Sequence, residues 1–244
     1  MTEIFSLNKN LEILNQNLNT HLITNFSNMF SHCEKLINLN LDKFDTNKAN
    51  DISKMFYSCT SLESINLSSF NTNKVQKING MFDGCESLLY LDISNFNTSL
   101  MESFSFMFNG CKSLKSIKFG NFDTKKITSI NDMFNNCQSL TDLDLSFFDT
   151  NEIIYMNYTF NNCSSLTDLK ISNFTTPKVK TLVSMFNSCS SLNYLSLPYF
   201  DTSNLKESEM TSIFDGCINL TLSINKENCS NLIDILPDYV HVVN

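Results

Sequence analysis

The chain has no tryptophan, only three prolines, five glycines and three histidines in 244 residues, and charged residues make up just 17% of it. Scarcity of Pro, Gly and charge beside 42% hydrophobic residues excludes a disordered or low-complexity chain and leaves a globular one. Basic charge is short as well: 17 Lys and Arg stand against 25 Asp and Glu, a net charge of −8, with a pI near 4.8. That balance excludes attachment to nucleic acid or anionic lipid through simple electrostatics, which needs a basic face, and favours a protein partner carrying a basic patch. Nowhere do eighteen apolar residues follow one another, and the stretch from Met1 to Asn10 has no basic region leading into an apolar run. Neither a membrane span nor a signal peptide is readable, so no direct membrane insertion is expected.

The usual signatures of chemistry are missing too. There is no C-x-x-C pair of the common zinc arrangement, no glycine-rich phosphate loop, no paired catalytic carboxylate and no Gly-x-Ser-x-Gly elbow. A thiol nucleophile would need a base, and the candidates are His21, His32 and His241. His32 adjoins Cys33 but lies outside the repeating pattern and reads as a solvent-facing residue near one end. No catalytic residue, cofactor or metal is expected, because a repetitive chain supplies equivalent positions rather than one unique constellation.

What the chain does have is an interval. Cys33, Cys59, Cys85, Cys111, Cys137, Cys163 and Cys189 follow one another every twenty-six residues. A fixed period along nearly the whole sequence means one structural unit stacked on copies of itself, hence one solenoid domain. In the unit from Val75 to Thr98, the apolar residues Val75, Ile78, Met81, Phe82 and Cys85 have helical spacing and predict a short helix. Leu88, Leu91 and Ile93 follow, with Asp92 between the last two, and predict a short strand; Phe96 and Thr98 close the unit in a loop. The fold expected is an α/β repeat of about eight helix–strand units, with a parallel sheet on one face and short helices on the other. Ordering one unit costs more conformational entropy than its own burial returns, so the interfaces between units must supply the rest.

The columns hold along the array. Phe30, Phe56, Phe82, Phe108, Phe134, Phe160, Phe186 and Phe214 make one; the loop column runs from Phe44 to Phe200, and Thr46 to Thr202 form another. The Phe columns read as core, and the Thr column as loop hydroxyls tied to backbone. Stacked Cys would lie within disulfide distance of one another, but their Cβ vectors would run parallel, so buried, reduced thiols filling small gaps are expected.

The unit Met-Phe-x-x-Cys-x-Ser-Leu-x-x-Leu-x-Leu-Ser-x-Phe-Asp-Thr, nearly intact from Met133 to Thr150, resembles the leucine-rich repeats of BspA-like surface proteins. It is most similar to the twenty-six-residue version found in mycoplasma lipoproteins and other bacterial surface proteins. The resemblance covers about residues 23–225. It implies a leucine-rich-repeat solenoid, monomeric and without cofactors, displayed on cells for adhesion or protein binding. The secretion signal and lipid-attachment Cys of such proteins are not in this sequence, so a cytoplasmic location stays open beside the cell surface. A structural or assembly scaffold and an intracellular binding protein are the alternative functions.

The ends break the pattern. Leu11 to Thr20 matches half a unit, two extra residues fall within Lys206 to Met210, and Cys217 and Cys229 come at intervals of twenty-eight and twelve. Residues 1–22 and 226–244 read as caps on a 23–225 array. Packing columns carry no specificity, so the binding face is sought where outward strand positions vary. Tyr90, Asp92, Lys118, Asp142, Asp144, Asp168, Lys170 and Tyr194 are the candidates, with three Asp clustered on adjacent strands and two Tyr as flanking anchors.

Overall fold

A computed structural model describes residues 5–14 and 18–243; parts of the expected N-terminal cap, residues 1–4 and 15–17, lie outside it. The chain winds as a parallel solenoid. Among the described residues nine short strands run along one side: β1 (Ile13–Leu14), β2 (Asn38–Leu39), β3 (Tyr90–Asp92), β4 (Ser116–Lys118), β5 (Asp142–Asp144), β6 (Asp168–Lys170), β7 (Tyr194–Leu197), β8 (Thr221–Ile224) and β9 (His241–Val243). Every pairing is parallel, in the order β1-β2, β3-β4, β5-β6 and β7-β8-β9. In β3 and β5 the middle residue is buried and both neighbours exposed, as alternation on a half-buried sheet requires. At Ser64–Asn66, the positions one unit before β3, no strand forms.

The expected helices do not form either. Among the described residues the helical elements are a 3₁₀ turn at Glu207–Glu209, which takes up the two extra residues, and α1 (Ser230–Ile233). In place of each helix stands a run of hydrogen-bonded turns. Met81, Asp83 and Cys85 donate their N–H to the carbonyl three residues back, while Gly80, Phe82 and Gly84 donate to Ser105, Met107 and Asn109 of the next unit at 2.7–3.0 Å. An α-helix needs every N–H for its own carbonyl four residues back, so exporting alternate N–H groups rules it out. Gly80 and Gly84 sit at φ +62° and +75°, the third position of two successive turns, where a positive φ marks type II geometry. Such turns point a side chain inward about every third residue, the same period that predicts a helix.

Stacking fills the core. The Phe30 column forms a continuous ladder from Phe30 to Phe214 with centroids 5.2–6.1 Å apart, and Phe5 extends it onto Phe30 at 5.3 Å. The Thr column is tied to the neighbouring unit: Thr150 Oγ1 donates to the Thr175 carbonyl at 2.9 Å and accepts the Thr175 N–H at 2.8 Å. All nine Cys are buried and free. Each in the ladder donates its Sγ–H to the carbonyl of a Phe in the preceding unit, as Cys111 does to Phe82 at 3.2 Å and Cys137 to Phe108 at 3.2 Å. Cys229 leaves this ladder for the loop column, bonding the Phe200 carbonyl at 3.3 Å. Burial pushes the thiols of Cys33 and Cys163 up to about 11 and about 12, and those of Cys85, Cys111 and Cys137 well above the ordinary thiol range. None of these is a thiolate near neutral pH. His32 differs from expectation: it is half-buried, edge-on to Tyr57 at 4.9 Å, and its φ of 59° places it in the same left-handed column as Gly84.

Candidate protein-binding face

Strand alternation turns the proposed residues outward and parallel register sets them side by side. Tyr90 pairs with Ser116 and Asp92 with Lys118; Asp142 pairs with Asp168 and Asp144 with Lys170. Tyr194, on β7, lies opposite Thr221. Both tyrosines keep more than half their surface exposed, 57% for Tyr90 and 56% for Tyr194. An aromatic body with a polar tip held on a rigid strand loses little entropy on contact, as an interface anchor should.

The charges are arranged less simply than a uniform acidic patch. Lys118 Nζ reaches Asp92 at 2.9 Å and Lys170 Nζ reaches Asp144 at 3.6 Å, so each of these lysines neutralises one carboxylate of the unit before it. The Ser94 hydroxyl and Lys118 together hold the Asp92 carboxyl down to about 2, and Ser146 lowers that of Asp144. Asp142 and Asp168 directly face each other, and among the described residues neither makes an ion pair. Like charges opposed across two strands cost stability in the free protein and are relieved by an incoming cation. The carboxylates of the turn layer differ: burial pushes Asp132 up to about 6 even though the Asn135 amide donates to it.

Two residues that the spacing did not single out shape this face. Phe119 occupies the column held elsewhere by Leu67, Ile93, Leu145 and Ile171. Phe147 occupies the column of Ser69, Asn95 and Asn173, whose side chains donate to carbonyls of the preceding unit at 2.6–3.1 Å. A phenyl ring has no such donor. The two rings meet at 5.4 Å instead, and β4 and β5 lie adjacent without pairing. The N–H of Ile93 donates to Lys118 and that of Leu145 to Lys170, whereas Phe119 makes no corresponding bond to Asp144, nor do Leu67 and Ile171 of the same column make theirs. At Gly120 an added Cβ would lie 2.0 Å from the Ser94 carbonyl oxygen, so this loop is pressed onto the preceding unit. Ile117 is left only half-buried where Leu91 and Leu143 are buried, and a cleft of about 360 Å³ opens between β4 and β5.

The family described as "Mycoplasma protein of unknown function, DUF285" matches residues 1–118, 63–169 and 140–237. The chain belongs to this family. Overlapping matches of this kind are what a repeated unit produces. Among solved structures the DUF285 chain is similar to a leucine-rich repeat protein from Eubacterium ventriosum ATCC 27560, with 17% identity over 78% of this chain and 55% of that one at a TM-score of 0.50. It thus spans about half the length of that relative. A leucine-rich repeat protein from Bacteroides ovatus ATCC 8483 matches with 18% identity over 99% of this chain and 80% of that one at a TM-score of 0.34. A TLR13–ssRNA13 complex matches with 19% identity over 96% and 37% at a TM-score of 0.37. No curated protein matches the sequence. The Eubacterium structure shows the leucine-rich-repeat fold that the Met133–Thr150 motif implies. Among the described residues, no helix is long and apolar enough to cross a membrane.

Proposed function

We propose that this chain is a non-catalytic binding module of the adhesin-like kind, acting at the cell surface as a monomer and gripping a partner protein through a basic patch. In this reading about eight units of twenty-six residues, 23–225, present the strand face, and residues 1–22 and 226–244 cap the stack. The observation that supports it best is the Asp142–Asp168 pair. Two unneutralised carboxylates are held together on adjacent strands between the exposed Tyr90 and Tyr194. A rigid backbone fixes them there before a partner arrives, so little ordering cost falls on binding.

The test is titration of a lysine dodecapeptide against the wild type and a variant carrying Asp142→Asn, Asp144→Asn and Asp168→Asn. Losing three exposed charges should weaken binding about tenfold at low salt, the sum of modest single contributions. Equal affinity for both proteins would count against the acidic strand face as the binding surface.

A further inference from the structure

We propose that the cleft between β4 and β5 receives the side chain of one arginine from the partner protein. This rests on the strand-face reading above and names the group that the face takes. The cleft, about 360 Å³, lies between Ser116 and Phe119 on one side and Asp142, Asp144 and Phe147 on the other, roomy enough for one long side chain. Its walls combine two kinds of surface that seldom coincide. Phe147 keeps 38% of its surface exposed, and Phe119, in a column of buried aliphatics, is half-exposed beside it. Asp142 and Asp144, two residues apart on one strand, direct their carboxylates outward on the same side of it.

Of the two carboxylates, Asp142 is the one without a cation from the chain among the described residues. Lys118 is committed to Asp92 and Lys170 spans to Asp144 from β6. Asp142 accepts a bond from the Thr141 hydroxyl at 3.1 Å and, among the described residues, has no ion pair. An apolar side chain would cover the rings but leave the Asp142 carboxylate facing it without a counter-charge. A lysine would meet the carboxylates, yet its compact ammonium is strongly hydrated. A guanidinium is planar and weakly hydrated, stacks on an aromatic face and presents paired donors to carboxylates, so arginine fits both walls at once.

The experiment compares an arginine dodecapeptide with a lysine dodecapeptide of equal charge on the intact chain. Wild type should prefer arginine by about fivefold, the scale of a partly desolvated cation–π contact. Phe147→Asn, which installs the residue type found elsewhere in that column, should bring the arginine- and lysine-peptide affinities together; Phe147→Tyr should keep them apart. A wild type with no preference, or a Phe147→Asn variant that keeps it, would overturn the arginine cleft. The Asp142, Asp144 and Asp168 variant decides the strand face separately. If that variant loses lysine-peptide binding while wild type shows no arginine preference, the face stands and the cleft falls.

Discussion

Thr150 shows how much a single column residue does in this solenoid. Its hydroxyl donates to one backbone group of the next unit and accepts from another, while the side chain is almost wholly buried. Replacing it with the isosteric Val leaves the Thr175 N–H and carbonyl without that partner. Thr150→Val should cost about 1–3 kcal/mol in denaturant unfolding and Thr150→Ser markedly less. A Val variant as stable as wild type would mean that water serves both groups equally well. The sequence made the Thr column visible and assigned it to backbone bonding, but the unit it bonds to is a fact of stacking that no single unit contains. The Cys column was legible as buried and reduced. Its reason was not, since a thiol donating to the Phe carbonyl twenty-nine residues earlier, as in Cys137 to Phe108, depends on the register between units.

At the scale of elements, period and conformation part company. Val75, Ile78, Met81, Phe82 and Cys85 share one inward face whether they lie on a helix or on successive four-residue turns, so spacing alone could not separate the two. The discriminating signal lay in the neighbouring column of His32, Ser58, Gly84, Gly110, Asn136, Asn162, Ser188 and Gly216, all at positive φ. Gly and Asn are the residues that enter this region at least cost, and five of these eight are one or the other. The strands were read more successfully because alternation of Leu91 and Ile93 about Asp92 has no turn equivalent. Two departures, Phe119 and Phe147, line the gap between β4 and β5, each ordinary alone and informative only against its column, and β6 and β7 are unpaired without them. If those rings hold the strands apart, Phe119→Leu with Phe147→Asn should let Phe119 N–H bond the Asp144 carbonyl. Hydrogen exchange at Phe119 should then slow toward that of Ile93; exchange unchanged by the double substitution would place the cause of the gap elsewhere.

Over the whole molecule, one ladder of exported backbone bonds on the turn side and short parallel pairings on the other make a stiff spine, with the Phe column running through it from Phe5 to Phe214. Stiffness matters for the proposed activity, because a face whose residues are already in place spends little on ordering when it binds. Charge is divided over the same spine. Asp132 and Asp83 in the turn layer have carboxyls raised by burial, whereas Asp92 and Asp144 on the strand side are held ionised. In the proposed reading a cationic partner is drawn to Asp142 and Asp168, the facing pair that Lys118 and Lys170 leave without an ion pair among the described residues. Backbone amide chemical-shift mapping during titration with the lysine dodecapeptide tests this most directly. The account predicts shifts gathered at Tyr90–Asp92, Asp142–Asp144, Asp168–Lys170 and Tyr194, with the turn layer silent. Shifts centred instead on the exposed Phe106, Tyr155 and Tyr158 of the turn side, or none anywhere, would contradict it.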